Sequence, residues 1–279
     1  MNTIKKQLDH ACDILASHSP SPRLDAEVLL AFVLGKNRSY LRAWDDKELE
    51  LVSLELFTQL IEKRRVGVPI AYLTGQREFW SRDFKVSSAV LIPRPETELL
   101  IELCLERLSN NEKHAVLDLG TGSGAIAITL AAERPLVEMT AIDKSSEALD
   151  IAKENAIRHN CQHIKFVLSD WLSGLSAEAR FDLILSNPPY IAKDDVHLSQ
   201  GDVRFEPMSA LVAADNGLFD IKAIASNAKK HLRLDGQLWF EHGYNQGQET
   251  QAILKSLDYK NVKTYVDLSG QPRVTMGFI

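Results

Sequence analysis

The spacing of apolar residues predicts helices in the first part of the chain. Apolar positions there recur every three or four residues, beginning with Ile4, Leu8, Ala11 and Leu15. This recurrence is typical of one buried face of an α-helix. The run "LDAEVLLAFVLG" predicts a second helix that ends at Gly35, and "LELFTQLIEKRRVG" predicts a third. We therefore predict a small all-helical N-terminal domain over residues 1–76.

The period of the pattern falls to two in the next segment. Apolar residues alternate with polar ones around Phe84, Val86, Val90 and Ile92. Because alternation is typical of strands with one buried face, we predict a short β-hairpin over residues 77–95. This hairpin is expected to link the helical domain to the rest of the chain.

The remaining residues, 96–279, alternate between helical patterns and short apolar runs. Five runs of this kind are "AVLDLG", "VEMTAID", "HIKFVLSD", "FDLILSN" and "QLWFEHG". Strands that alternate with helices predict a parallel α/β sheet. The last two runs, "NVKTYVDL" and "PRVTMGFI", have no helix between them, and so short a link forbids a parallel crossover. Seven strands with an antiparallel last strand are the layout of the Rossmann-like class I methyltransferase fold.

Composition and charge narrow the classes of ligand. The chain has 279 residues, of which 45% are hydrophobic and 25% charged, and its formal net charge is −6. This charge argues against direct binding of nucleic acid, because affinity for the phosphate backbone comes from clustered Lys and Arg. No apolar run is long enough to span a bilayer and no signal peptide is evident, so we expect a cytoplasmic protein without a membrane partner. The widely spaced Cys12, Cys104 and Cys161 predict neither a disulfide nor a metal site.

A glycine-rich turn follows the first strand of the predicted sheet. Its motif, "DLGTGSGAIAI", contains Gly120, Thr121, Gly122, Ser123 and Gly124. A helix begins there, and its free N–H groups favour an anionic ligand, while Asp143 at the end of the second strand can bind ribose hydroxyls. The G-x-G-x-G spacing departs from the dinucleotide pattern and is closer to an S-adenosyl-L-methionine site. Taken alone, these residues also fit a generic tight turn with a helix-capping Asp.

The third strand of the predicted sheet ends at Asp170 and Trp171. The carboxylate can accept a hydrogen bond from the exocyclic amine of an adenine while the indole packs on the base. The alternative is an exposed strand end beside a core tryptophan. Because ligands of open α/β sheets bind at the carboxyl ends of the strands, we expect these two residues to converge with the glycine turn and Asp143.

The fourth strand ends in "SNPPYI", where two consecutive prolines stop the sheet ladder. The side-chain oxygen of Asn187 and the carbonyl of Pro188 are two acceptors that match the two N–H bonds of a planar primary amine, and Tyr190 adds a flat face. An amide nitrogen is a poor nucleophile because its lone pair is delocalised, and hydrogen bonds to both protons would help to localise it. The alternative is a proline-rich strand terminator without a functional role.

Four motifs together carry a family resemblance. "SNPPYI" resembles the signature of methyltransferases that act on nitrogen conjugated to a planar system. "IPRPETE" (92–98), "DVRFEPMSAL" (202–211) and "DLSGQPRV" (267–274) resemble the release-factor glutamine methyltransferases. The one departure is Phe205, where that family more often has Tyr. The resemblance spans residues 70–279.

The resemblance implies an S-adenosyl-L-methionine-dependent enzyme that methylates the side-chain amide nitrogen, N5, of a glutamine. This glutamine belongs to the Gly-Gly-Gln motif of peptide chain release factors 1 and 2. The implied glutamine site consists of Asn187, Pro188, Pro189 and Tyr190, and its catalytic residues are Asn187, Pro188 and Tyr190. The implied cofactor site consists of the glycine turn, Asp143, Asp170, Trp171 and Asn187. The helical domain would bind the release factor.

Two other functions stay open from the residues alone. An adenine-N6 methyltransferase of nucleic acid would need a basic groove or a target-recognition domain, and the charge balance indicates neither. A non-catalytic cofactor-binding module would have a degraded kink, whereas all four residues from Asn187 to Tyr190 are intact.

Three further groups of polar residues have weaker signals. Arg94, Glu96 and Glu98 either brace the rim of the site or simply favour the start of a helix. Glu241 and His242, at another strand end, are interpreted as structural. The triplet Lys63-Arg64-Arg65 is interpreted as a feature of a helix C-terminus.

Overall fold

The computed structural model describes residues 2–279. The chain divides into two compact units, which are not simple halves of the sequence. The first unit contains the residues up to Gln76 and also Val196–Phe205, and the second contains Arg77–Asp195 and Glu206–Ile279. The segment after the predicted Asn-Pro-Pro-Tyr kink therefore packs with the helical unit before the chain returns to the larger one.

The first unit is helical, as the apolar spacing predicts. Its helices are α1 (Ile4–Leu15), α2 (Pro22–Leu34), α3 (Arg38–Ala43), α4 (Leu51–Arg65) and α5 (Ile70–Thr74). The predicted stripe of α1 is fully buried, and α2 ends at Gly35, which adopts φ +60°. The two short helices α3 and α5 were not predicted, because one or two turns give too few apolar repeats to establish a period.

The second unit contains the predicted seven-stranded sheet, preceded by a hairpin. The hairpin consists of β1 (Gln76–Phe79) and β2 (Arg82–Lys85), so it is shorter than the predicted span of 77–95, and Val86, Val90 and Ile92 lie in no strand. The strands of the sheet are β3 (Ala115–Leu119), β4 (Glu138–Asp143), β5 (Lys165–Leu168), β6 (Phe181–Ser186), β9 (Leu232–Glu241), β10 (Lys260–Val266) and β11 (Pro272–Phe278), and the two-residue strands β7 (Ile191–Ala192) and β8 (Val212–Ala213) form a separate pair. The order across the sheet is β10-β11-β9-β6-β3-β4-β5. Within residues 2–279, β11 runs opposite to the other six strands of this sheet, which confirms the predicted antiparallel last strand.

Helices cover both faces of this sheet. They are α6 (Glu98–Arg107), α7 (Ala125–Glu133), α8 (Ser146–Arg158), α11 (Phe219–Ala228) and α12 (Gly247–Ser256). The single turns α9 (Met208–Leu211) and α10 (Ala214–Gly217) contact the short strands β7 and β8 instead. Successive strand residues point to opposite faces, so Trp239 packs in one apolar layer and Phe240 in the other. Phe79 and Phe84 of the hairpin are buried in the first layer. The hairpin is thus part of the core of the second unit rather than a free link.

The sheet register brings several strand ends to one edge. Leu119 pairs with Ile142 on one side and with Ser186 on the other, and Ser186 in turn pairs with Phe240. The residues that follow these pairs, Gly120, Asp143, Asn187 and Glu241, therefore lie at the same edge. Over residues 2–279, no helix is both long enough and apolar enough to cross a membrane.

Candidate active site

The glycine turn is held by the carboxylate of Asp143. The N–H of Gly122 donates to Oδ2 of Asp143 at 2.9 Å, and the N–H of Ser145 donates to Oδ1 at 3.0 Å. Gly120 adopts φ +76°, and a Cβ there would lie 3.3 Å from the Trp171 ring. Glycine is favoured at this position because the left-handed backbone and the adjacent indole both disfavour a side chain. The turn and the ends of the next two strands are thereby packed together.

A buried carboxyl group that the sequence analysis did not select lies beneath this turn. Asp118 is fully buried, and burial raises its pKa to about 7. Thr121 donates its hydroxyl to Oδ2 of Asp118 at 2.7 Å, while Oδ1 has no hydrogen-bond partner in the described part of the chain. The sequence signal that could have indicated a buried Asp118 is an acidic residue inside the apolar run "AVLDL".

A cleft opens at the carboxyl edge of the sheet. The space at this edge amounts to about 680 Å³, open solvent at its mouth included. Its predicted lining residues are Gly120, Gly122, Asp143, Asp170, Trp171, Asn187 and Pro189. The structure thus brings the four strand ends together in one cavity.

Other predicted residues lie behind this lining, and some lining residues were missed. Thr121 and Ser123 are buried, and Gly124 packs against Ile128 and Ala152. The cleft is completed by residues outside the predicted set, namely Ala89, Val90, Leu91, Ile142, Lys144, Ser145, Ala148, Ser169, Pro207, Ser209 and Ala210. The segments 89–91 and 207–210 are distant from the glycine turn in sequence, so no local pattern could place them there.

The Asn-Pro-Pro-Tyr kink is rigidly braced. Pro188 and Pro189 are buried, and the carbonyl of Tyr190 accepts a hydrogen bond from Nε2 of Gln246 at 3.0 Å. Gly217 lies so close that a Cβ there would be 2.0 Å from the same carbonyl oxygen. Burial raises the pKa of Tyr190, which keeps its phenol neutral. Nδ2 of Asn187 donates to Oγ1 of Thr97 at 3.3 Å, so Oδ1 is left as an acceptor on the other side of the amide.

Two of the remaining motifs meet in the second unit. The carboxylate of Glu206, in "DVRFEPMSAL", accepts from the backbone N–H of Ile92 at 3.0 Å and forms an ion pair with Arg94. Glu206 is fully buried, so its charge is balanced by Arg94 of "IPRPETE". Arg94 therefore braces the segment that carries the cleft residues Pro207 and Ser209.

The basic triplet has a more specific role than a helix end. Arg64 is buried in the first unit, where its Nε donates to Asp25 and its Nη1 to Asp202, both at 2.7 Å. Nη2 of Arg204 donates to the carbonyl of Val66 at 2.7 Å. The start of "DVRFEPMSAL" is thus attached to the C-terminal end of α4 by hydrogen bonds in both directions. The triplet lies in the last turn of α4, as the sequence indicates, and Arg64 in addition forms buried ion pairs there.

Glu241 and His242 are adjacent but differ in how fully their side chains are hydrogen-bonded. Nδ1 of His242 faces the carbonyl of Gly243 at 2.9 Å and Nε2 faces Oγ1 of Thr275 at 2.8 Å. Burial lowers the pKa of His242, so the imidazole is neutral, with Nδ1 as donor and Nε2 as acceptor. This agrees with the structural interpretation of His242. Glu241, by contrast, is buried beside the Asn187 end of β6, and none of the described residues forms a hydrogen bond with its Oε2.

A seven-stranded sheet with one antiparallel strand, whose first four parallel strands end around a single cleft, defines a class I methyltransferase. The methyltransferase small domain family matches residues 97–205, and the PrmC N-terminal domain family matches residues 6–75. Among solved structures, a methyltransferase from Pyrococcus furiosus has a TM-score of 0.54 at 17% identity, with 79% of this chain and 96% of that chain covered. That similarity shows the fold alone.

Two relatives with high sequence identity define the family more narrowly. The release factor glutamine methyltransferase of Vibrio cholerae is 50% identical over 276 residues, which cover 99% of this chain and 96% of that protein. The protein of the same name from Escherichia coli K12 is 45% identical over 259 residues, with 93% of each chain covered. The chain therefore belongs to the release factor glutamine methyltransferase family, as the four motifs indicate. It is an S-adenosyl-L-methionine-dependent methyltransferase.

Proposed function

We propose that this protein methylates the side-chain amide nitrogen, N5, of the glutamine in the Gly-Gly-Gln motif of peptide chain release factors 1 and 2. The names of its relatives support a release-factor substrate. The observation that carries the proposal is the placement of Asn187 in the same cleft as Gly120, Asp143 and Trp171. A cytoplasmic location and a reaction without direct nucleic-acid binding are part of this proposal.

The cleft residues fit S-adenosyl-L-methionine chemically. Each oxygen of Asp143 accepts one backbone N–H, which leaves further lone pairs for two ribose hydroxyls. The indole of Trp171 lines the cleft and donates Nε1–H to Asp220 at 3.1 Å, so its ring is fixed for packing on adenine. Asp170 would accept from the adenine amine, and the glycine turn would hold the methionine end. When bound, the cofactor supplies a methyl group on a cationic sulfur, which the amide nitrogen displaces.

The kink would prepare the glutamine nitrogen for this displacement. Oδ1 of Asn187 and the carbonyl of Pro188 would accept one amide proton each, and both prolines are buried and fixed. Holding both N–H bonds localises the nitrogen lone pair and aims it at the methyl group. Orientation of this kind can contribute roughly 7–11 kcal/mol. No strong base is needed, since the amide nitrogen that receives the methyl group becomes acidic only as the N–C bond forms. Its proton then leaves to solvent.

The helical unit is proposed to bind the release factor. It matches the PrmC N-terminal domain family over residues 6–75, and the full-length relatives cover it as well. An adenine-N6 reaction on nucleic acid is not favoured, because the relatives' names point to a protein substrate and the net charge is negative.

Asn187→Ala tests the proposed site directly. We expect loss of at least ~100-fold in kcat, because one of two amide acceptors disappears, and only a minor loss of S-adenosyl-L-methionine affinity, because Asn187 is one of several residues that line the cleft. Methylation is followed by mass spectrometry of purified release factor and, separately, of DNA after incubation with labelled cofactor. Label on DNA adenine, or full activity of Asn187→Ala on release factor, would refute the proposal.

A further inference from the structure

The side-chain amide of Asn187 can perform the proposed role in only one of its two orientations. With Oδ1 toward the glutamine, it accepts an amide proton; with Nδ2 there, two N–H groups would face each other. The two orientations have nearly the same shape, so packing alone does not choose between them. The choice requires groups behind Asn187 that accept hydrogen bonds and do not donate them.

Two buried residues occupy this position behind Asn187. Nδ2 of Asn187 donates to Oγ1 of Thr97 at 3.3 Å. Thr97 is buried at the 3₁₀ turn Pro95–Thr97 that precedes α6. Glu241 follows Phe240, the sheet partner of Ser186, so its carboxylate lies beside the side chains of Thr97 and Asn187. Asn187 thus has a hydroxyl and a carboxylate behind its amide.

The direction of these hydrogen bonds follows from the number of protons. A threonine hydroxyl has one proton, and if Thr97 donates it to the Glu241 carboxylate, its oxygen can only accept toward Asn187. An ionised carboxylate has no proton and can also only accept. Both groups then require Nδ2 of Asn187 on their side.

We propose that Thr97 and Glu241 are positioning residues that fix the Asn187 amide with Oδ1 toward the substrate nitrogen. This rests on the role of Asn187 in the proposed function. Neither residue contacts the reacting atoms in this scheme, and both act through Asn187. Glu241 has 1% of its surface exposed and its Oε2 has no hydrogen-bond partner among residues 2–279, so a carboxyl group is buried here without full hydrogen bonding. A role in fixing Asn187 gives a chemical reason for this buried carboxyl group.

The protonation state of Glu241 provides a readout. Burial is the largest influence and raises the pKa of Glu241 to about 7, whereas the neighbouring Thr97, Arg273 of β11 and Asn187 lower this pKa, and Glu96 adds to the rise. Tyr190 also faces Glu241 and is neutral. Protonated Glu241 can donate to Asn187 or Thr97, so it no longer excludes the wrong orientation. The competent form should therefore be about tenfold less populated at pH 6 than at pH 8.

Isosteric variants test this scheme in the full-length protein. Glu241→Gln keeps the shape but offers both a donor and an acceptor, so both orientations of Asn187 become possible. We expect kcat at pH 8 to fall by about ten- to a hundredfold, with KM for release factor and affinity for S-adenosyl-L-methionine within about twofold. The rise of kcat between pH 6 and pH 8 should be present in the original protein and absent in Glu241→Gln.

Controls separate this role from a merely structural one. Glu102→Gln changes an exposed glutamate of α6 and should leave both kcat and the pH profile unchanged. Thr97→Val removes the hydroxyl and should lower kcat, whereas Thr97→Ser should restore it. Far-UV circular dichroism and cofactor binding confirm that each variant is folded. If Glu241→Gln does not fold, the Thr97 pair and the pH profile of the original protein still decide the question.

The outcomes distinguish the inference from the proposed function. An active Asn187→Ala variant would refute the role of Asn187 itself. Two results would overturn only the positioning role if Asn187→Ala is inactive. One is an unchanged kcat in Glu241→Gln, and the other is the same rise of kcat with pH in Glu241→Gln and in the original protein. Equal activities of Thr97→Val and Thr97→Ser would overturn it as well.

Discussion

Replacing Arg64 by Met should destabilise the first unit strongly. The Arg64 guanidinium is buried between Asp25 and Asp202, with a hydrogen bond of 2.7 Å to each. Asp25 has 6% of its surface exposed, so without Arg64 its charge would be buried and unpaired. Removing one partner of a buried ion pair costs roughly 3–5 kcal/mol. Because Ser19 and Ser21 still donate to Asp25 at 2.7 and 3.1 Å, we expect the lower end, about 3 kcal/mol.

Urea unfolding followed by circular dichroism and tryptophan fluorescence measures this change. Arg65→Met is the matched control, since its side chain is 43% exposed and pairs only with Glu62 on the same helix; we expect a loss below about 1 kcal/mol. Adding Asp25→Asn to Arg64→Met should recover more than half of the lost stability, because no buried charge is then left. A loss in Arg64→Met no larger than in Arg65→Met would refute the reasoning.

Three further predictions concern the second unit. Trp171→Ala should weaken S-adenosyl-L-methionine binding, measured by calorimetry, by about 5- to 150-fold, the usual range for loss of base stacking. Trp44 is exposed in the first unit, so Trp44→Ala should leave this binding unchanged. Gly217→Ala should lower activity at least about tenfold, because its Cβ would overlap the Tyr190 carbonyl that ends the kink; Gly270→Ala, with a similar φ and open space around it, is the control. The lowered pKa of His242 favours the neutral ring in the folded state, so its contribution to stability is present above about pH 6.5 and lost as the pH falls below it. The fall in melting temperature between pH 7 and pH 5 should therefore be smaller in His242→Asn, and an equal fall would contradict this assignment.

The parts of the fold and site that could be predicted are those with a local signature. Strand runs, helix periods and the glycine turn are each contained within about a dozen residues, and the sheet rule then brings their ends to one edge. Asp143, Trp171 and Asn187 could therefore be placed in one cleft before any contact was known. The two short helices, α3 and α5, have too little sequence for a period to be visible.

The parts that could not be predicted depend on long-range pairs. Arg94 and Glu206 are separated by 112 positions, and Arg64 and Asp202 by 138. Each residue alone is an ordinary charged side chain, and only burial beside the other gives it a specific role. The location of Glu241 beside Thr97 and Asn187 could not be predicted for the same reason. It is created by the sheet register and by the turn before α6.

These two ion pairs also bear on Phe205, where the family resemblance leads us to expect Tyr. Asp202 and Glu206 are four residues apart, yet Asp202 pairs with Arg64 in the first unit and Glu206 with Arg94 in the second. Both ends of the segment are thus fixed by arginines, independently of the residue between them. Phe205 places its ring 4.9 Å from the guanidinium carbon of Arg204, a contact that Tyr would make with the same ring. Because the change from Tyr to Phe removes only a hydroxyl, it leaves both ion pairs intact, and the position of Pro207 in the cleft does not depend on it.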